Sequence, residues 1–414
     1  MMMTKQKTIL VAIGLILTPV TYAALYNIAG TDYYVNGLPS NLTVKEKAKL
    51  ISTTIVKTDA AIAAGKYIPL TTIAAKAKIK ELNVPDSPTV PTTTSPVVSP
   101  PQTQPNSLMP AVDVSTYMTP AEGWNSLRIK KTTELSPDSG GDFRMPCKIS
   151  HMNNDDVLLY PNQQGAAHSH LYFGNTSVDY KTDPEALSTT GNSTCAGGTM
   201  NRSAYWVPNM INIETNAPVI PTGDILVYYK HGNIDGSKIK APPKGLRMIA
   251  GNMKAKSAAE SRHSGFKCHP GRNSKRTSWP QTPYITPPSG CEVGDDLTFF
   301  VGFPQCWDGK NLDSPNHQDH MAYPHEGSCP ATHPVPIPEI GYNVHYILKE
   351  GDKIDKWRLS SDNYAFNGKN AGYSGHGDWV NGWNEELMNG IIKNCINGKK
   401  DAHAHLLCDG RTFY

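Results

Sequence analysis

At 414 residues the chain is long enough for one large domain or two ordinary ones, and only 18% of it is charged. A formal charge of +3 leaves no concentrated basic face of the kind that nucleic-acid binding requires. With 34 glycines and 33 prolines, the composition favours a loop-rich β protein over a helical one.

In chain order, Lys5 and Lys7 precede an apolar run over 9–20, and Thr21-Tyr22-Ala23 follows with small residues at both recognition positions. This is the order of a secretory signal over residues 1–23, and the run is short for crossing a bilayer. No second long apolar run follows. The expectation is therefore an exported protein, extracellular or periplasmic, with no membrane span in the mature chain. Next, Thr43-Val44-Lys45-Glu46 has the capping-box pattern and opens a helix expected to run to Gly65. A second, basic helical stretch covers 72–82, so residues 24–84 read as a small α-helical hairpin module. Eight prolines among Thr, Ser, Val and Gln fill 83–110, too few large apolar groups to fold, which makes 85–110 an extended linker. Tethered modules of this form are common in secreted proteins that act on polymers.

The main domain is expected over 111–414. Its strand candidates are 205–207, 225–230, 297–303 and 344–348, each short and bounded by turn residues. Helical signal is scarce until 384–396, where Leu387, Ile391, Ile392 and Cys395 form an apolar stripe. The predicted fold is mainly β, a β-sandwich-like antiparallel core with long disulfide-pinned loops and a few short helices. All eight cysteines lie between Cys147 and Cys408, an even number that reads as disulfides in an exported protein. Eight cysteines allow 105 pairings. Pairing sequence neighbours gives Cys147–Cys195, Cys268–Cys291, Cys306–Cys329 and Cys395–Cys408. The third would close the 302–334 loop, a restriction of the unfolded chain worth about 3 kcal/mol.

That loop gathers two cysteines, four histidines and three aspartates into a stretch without helical or strand period, the place where function is expected to sit. Around it run further ordered motifs. They are Asp155-Asp156, Tyr160-Pro161, His168-Ser169-His170, Phe173-Gly174-Asn175, Asn201-Arg202-Ser203 and Tyr205-Trp206, then Gly245-Leu246-Arg247 and Gly251-Asn252. Within the loop come Cys306-Trp307-Asp308, His320-Met321-Ala322-Tyr323-Pro324 and Cys329-Pro330, with His333-Pro334 after them. Gly375-His376-Gly377-Asp378 and Gly382-Trp383 close the set. With these motifs, residues from about 142 to 395 resemble the DUF1996 family, secreted proteins of fungi and bacteria. The resemblance implies a secreted, single β-rich domain and carries no catalytic mechanism with it. One departure is Asp156-Val157-Leu158-Leu159, where relatives often have Asp-Pro-Ile-Val, so the local turn differs.

Two constellations point to chemistry. In an extended chain residues i and i+2 share a face, so His168 and His170 can reach one ion. Two histidines with a carboxylate make a common site for Zn, Fe or Cu. Asp155 or Asp156 is the carboxylate expected there, and His320, His333 and His376 are the further candidate ligands. The bland alternative is a histidine bonded to a backbone carbonyl. The second constellation is Asp308, Asp313 and Asp378 as paired carboxyls of glycoside hydrolysis. Trp307, Tyr323 and Trp383 would be faces for sugar stacking, and Arg202 or Arg247 a clamp for an anionic group. Core packing of the tryptophans and an Asx turn at Asp308-Gly309 are the structural alternatives. His403-Ala404-His405 is a second such pair, outside the resemblance. Together these give a secreted protein acting on extracellular or cell-wall polysaccharide by metal-assisted hydrolysis through a His/Asp cleft. Asp308, Asp378 and Asp156 are its candidate catalytic carboxylates, and Zn or Cu its divalent ion. A non-catalytic glycan-binding or wall-associated protein is the alternative.

Overall fold

The computed structural model describes residues 23–28, 31–36, 68–70, 108–271, 281–286 and 290–414. The chain divides into two compact units, residues 1–97 and 98–414. In the first, strands Ala23–Ile28 and Thr31–Asn36 pair antiparallel, and Ile68–Leu70 joins the second in parallel. The helices expected over 43–65 and 72–82, the leader and most of the linker lie outside the described residues.

The second unit is built on two main sheets. Its strands in chain order are β1 (Asp142–Cys147), β2 (Ile149–Asn153), β3 (His170–Gly174), β4 (Ala204–Pro208), β5 (Ile225–Lys230) and β6 (Arg247–Gly251). Then follow β7 (Ser264–His269), β8 (Gln281–Thr282), β9 (Asp296–Gly302), β10 (Glu339–Ile347), β11 (His376–Val380) and β12 (Asp401–Ala402). The seven-stranded sheet runs β8-β7-β9-β10-β5-β1-β12, and the five-stranded sheet runs β6-β11-β4-β3-β2. All pairings are antiparallel except β12 on β1. The fold class is the mainly β, antiparallel one expected. The four strand candidates fall within β4, β5, β9 and β10 or overrun them by a residue.

Side-chain alternation separates the two sheets. In β1, β5 and β10 every second residue is buried, namely Phe143 and Met145, Ile225 and Val227, Ile340, Tyr342 and Val344. These strands present one face to the core, as a half-exposed antiparallel sheet should. In β3, β4 and β11 all five residues are buried, so this sheet is covered on both faces. Its inner face gives Phe173, Tyr205, Trp379 and Met248 to the shared core. Its outer face carries Tyr172, Trp206 and Ile249, beneath Val157, Leu158, Val178 and Leu187 from the segment between β2 and β4.

Tyr342 ties the sheets together. Its ring packs edge-on to Phe173 at 5.2 Å between centroids, and its hydroxyl donates to the Asp378 carbonyl at 2.8 Å. The four disulfides join sequence neighbours: Cys147–Cys195, Cys268–Cys291, Cys306–Cys329 and Cys395–Cys408. Helix α1 (Glu385–Ile391) is capped by the Asn384 side chain, which accepts from the Leu387 N–H. A π-helical turn, Ile392–Ile396, continues it, and Leu387, Ile391, Ile392 and Cys395 face the core.

Where β6 meets β11 the backbones approach closely. Gly251 has φ +85°, and a Cβ there would lie 2.4 Å from the Gly375 carbonyl oxygen. Gly351 has φ +90° with nothing within 4 Å of an added Cβ. Both Gly→Ala variants incur the left-handed backbone penalty, but only Gly251→Ala also forces backbone apart. In denaturant unfolding, Gly251→Ala is expected to lose at least about 1 kcal/mol more than Gly351→Ala. Equal losses would contradict the packing described.

Candidate metal centre

Antiparallel register sets one row of residues across the outer face of the five-stranded sheet. Ile249, Asp378, Trp206 and Tyr172 stand opposite one another in turn, with His151 next. One step along, His376 and His170 occupy the same face, because residues two apart on a strand project together. His168 arrives from the turn just before β3, and Asp156 from the covering segment just after β2. His168, His170 and His376 each offer a ligand atom within 4.8 Å of the others, and so do Asp156, His170 and Asp378. Ring centroids of His168 lie 4.2 Å from His170 and 5.0 Å from His376.

The hydrogen bonds of these groups all point outward from the cluster. His170 donates Nδ1–H to the Asp155 carbonyl at 3.0 Å, and His376 donates Nδ1–H to the Ser374 carbonyl at 2.8 Å. A carbonyl can only accept, so each ring keeps its lone pair on Nε2, directed inward. Asp156 Oδ1 accepts from the Leu158 and Leu159 amides, which leaves Oδ2. Nε2 of all three histidines, Asp156 Oδ2 and both Asp378 oxygens are buried without a hydrogen-bond partner. His376 Nε2 and Asp378 Oδ2 are 3.9 Å apart. His168 alone of the five is partly exposed, although its Nε2 is not.

Six buried nitrogen and oxygen atoms thus gather without a partner, at least five of them acceptors, and the donor beside them is the buried indole N–H of Trp206 at Asp156. Leaving buried acceptors unsatisfied costs on the order of 1–3 kcal/mol each, and more for carboxylates. Trp206 can serve only one of these atoms, whereas a cation held by His168, His170 and His376, or by Asp156, His170 and Asp378, would need no added protons. The donor set of imidazole nitrogens and carboxylate oxygens, with no sulfur, fits a divalent first-row ion, and the two carboxylates match its charge. Burial drives the protonation of these groups away from charge. It holds the His168 imidazole well below the ordinary range and those of His170 and His376 at about 4. Burial also raises Asp156, and raises Asp378 well above the carboxylate range with the like charge of Asp156 adding to it. Neutral imidazoles are the metal-ready form, and a bound cation would reverse the penalty on the carboxylates.

A family model described as a domain of unknown function, DUF1996, matches residues 156–383, more than half of the chain. The chain belongs to the DUF1996 family. Comparison with curated proteins and with solved structures gives no match. All five candidate ligands fall within the DUF1996 match, with Asp156 at its first position.

The remaining sequence candidates of the DUF1996 domain stand elsewhere, and their polar atoms are engaged. His320 spends Nε2 on the Arg247 carbonyl at 2.6 Å and Nδ1 on Ser314 Oγ. His333 bonds the Asp319 carbonyl and Thr332. The bland reading of a carbonyl-bonded histidine therefore describes both. Asp308 forms the Asx turn, accepting from the Lys310 and Asn311 amides and from Asn311 Nδ2. Trp383 is 1% exposed and donates its indole N–H to Tyr229, so it is core and not a stacking surface. Trp307 and Tyr323 are half-buried, with Trp307 bonded to the Asn311 carbonyl and Tyr323 to that of Gly302. Arg202 holds its loop through the Gly191 and Ser188 carbonyls. Arg247 lies 3.5 Å from Glu185 and 3.8 Å from Asp313, so its charge is already matched. Asp155 braces the covering segment through the Gly165 and Tyr180 amides, leaving the cluster to Asp156. At the second H-x-H, His403 bonds Asp401 and His405 stacks on Phe413.

His376 is an expected further ligand beside His168 and His170, and Asp378 an expected catalytic carboxylate of the same cleft. His376-Gly377-Asp378 repeats the i, i+2 interval of His168-Ser169-His170, and that repetition was the available signal.

His151, 2% exposed and stacked on Tyr172 at 4.6 Å, is buried beside the cluster without belonging to it. Burial depresses its pKa to about 4. The unfolded chain binds this proton below about pH 6.5 and the folded one only below about 4, so stability falls as pH drops through that window. Wild type is expected to lose up to roughly 3 kcal/mol more than His151→Gln between pH 6.5 and 4. Parallel stability–pH curves for the two would contradict this.

Proposed function

We propose that this is an exported protein whose DUF1996 domain holds one divalent metal ion and uses it in metal-assisted hydrolysis of extracellular or cell-wall polysaccharide. The observation that carries the metal reading is the clustering of six buried, partnerless nitrogen and oxygen atoms from five side chains in two triads that share His170. His168, His170 and His376 would supply Nε2 ligands, and Asp156 and Asp378 the carboxylates. An ion there supplies a Lewis acid and a water acidic enough to act near neutral pH. Asp378 has both oxygens free of hydrogen bonds, so one would ligate the ion and the other would be left to hold a proton. Asp156 is fixed on one oxygen by two backbone amides and serves as the more rigid ligand. Access runs past His168, the one member of the set that reaches the surface.

Export is supported by four disulfides and by the leader-like order of residues 1–23. A polymer substrate is supported by the module–linker–domain order of the sequence. A non-catalytic glycan binder would need Trp307, Tyr323 or Trp383 exposed on one face; Trp383 is buried, and Trp307 and Tyr323 are half-buried.

The mature protein, loaded with Zn²⁺ or Cu²⁺ and passed through a desalting column, is expected to retain one ion per chain. The folded His170→Ala/His376→Ala variant is expected to retain none. Equal metal content in both would remove the metal reading. Release of new reducing ends from cell-wall polysaccharide should appear with the loaded wild type and vanish in that variant. Metal retained without any such release would leave the metal centre and refute the hydrolytic role.

A further inference from the structure

We infer that Asp362, acting through Ser374, is a positioning residue for His376 that fixes its tautomer and its direction into the cluster. The functional consequence of this rests on the metal reading above. Asp362 is 0% exposed and collects donors on both carboxylate oxygens. Oδ1 accepts from Ser374 Oγ–H at 2.6 Å and from the Tyr364 hydroxyl at 2.8 Å. Oδ2 accepts from the Gly372 amide at 2.8 Å and the Leu359 amide at 3.1 Å. The segment 359–374 is thereby wrapped around one carboxylate.

The shortest of these bonds goes to Ser374, which is also 0% exposed. Ser361 Oγ grips the same hydroxyl at 2.7 Å. The Ser374 carbonyl is the acceptor of His376 Nδ1–H, so whatever places this peptide places the imidazole two residues on. A matching arrangement serves the other strand: the Asp155 carbonyl that receives His170 Nδ1–H is held by the Tyr172 hydroxyl at 2.6 Å. His170 and His376 are thus each aimed by a backbone carbonyl that a buried hydroxyl holds in turn, Tyr172 for Asp155 and Ser361, at 3.3 Å, for Ser374. Partners outside the first ring of ligands commonly control metal affinity by 10–100-fold through such bonds.

Ser374→Ala deletes the shortest of the bonds to Asp362 and leaves the bonds from Tyr364, Gly372 and Leu359 and the longer one, 3.4 Å, from the Ser374 amide; Asp362→Asn perturbs the whole set. Two readouts test the inference: imidazole ¹⁵N shifts in the metal-free protein, and Co²⁺ titration followed by its visible absorption. In wild type, His376 is expected as a single Nδ1–H tautomer. In Ser374→Ala, a mixture with the Nε2–H form, about 10–100-fold weaker Co²⁺ binding and altered absorption bands are expected, with His170 unchanged. If Asp362→Asn does not fold, Ser374→Ala carries the test alone. A folded Ser374→Ala variant with an unaltered His376 tautomer and Co²⁺ affinity would overturn the inference. Equal loosening of His170 would also overturn it, because that is a general loss of packing. A wild type that binds no Co²⁺, in which the variant still shifts the His376 tautomer, would refute the metal centre and uphold the positioning.

Discussion

The arrangement depends on a single constraint: the outer face of the five-stranded sheet is buried, yet it carries histidines and carboxylates. Two-residue periodicity puts His170, His376 and Asp378 on that face together with Tyr172 and Trp206. The segment after β2 covers them and takes most of their surface out of solvent. The aromatic residues answer the burial with apolar contact, whereas the polar ones answer only if something positively charged sits among them. The Nδ1–H donors of His170 and His376 are turned away from the cluster, toward the Asp155 and Ser374 carbonyls.

The same face explains the architecture around it. A sheet covered on one side needs only alternating burial, as β1, β5 and β10 show. The five-stranded sheet needs a second cover, and the stretch between β2 and β4 provides it with Val157, Leu158, Val178 and Leu187. That cover delivers Asp156, whose Oδ1 caps the turn through Leu158 and Leu159 while its Oδ2 faces inward. One carboxylate therefore closes the cover and enters the cluster. On the far side of the sheet, Tyr342 fixes the Asp378 backbone to the large core.

Much of this was legible in the sequence. The runs 225–230 and 344–348 read as strands, and the cysteines pair with their neighbours in the chain. The H-x-H at His168 and His170 reads as a shared face, which the structure provides. The 302–334 loop misled for a physical reason. Its aspartates and histidines look like chemistry, but a disulfide-closed loop without regular structure must satisfy its backbone locally, and short polar side chains do that. Asp308 accepts from two amides in its own turn, and His320 holds the Arg247 carbonyl. The partners of His170 come instead from a strand some two hundred positions away, and only the pairing order of β3, β4 and β11 brings them together. No local pattern carries that information.

The central claim is that one ion sits among imidazole nitrogens and carboxylate oxygens on this face. X-ray absorption at the metal edge of the purified protein tests it most directly. The account predicts a shell of nitrogen and oxygen neighbours at about 2.0–2.2 Å, imidazole scattering beyond it, and no sulfur. A protein without a metal edge after loading, or one with a sulfur neighbour near 2.3 Å, would contradict it.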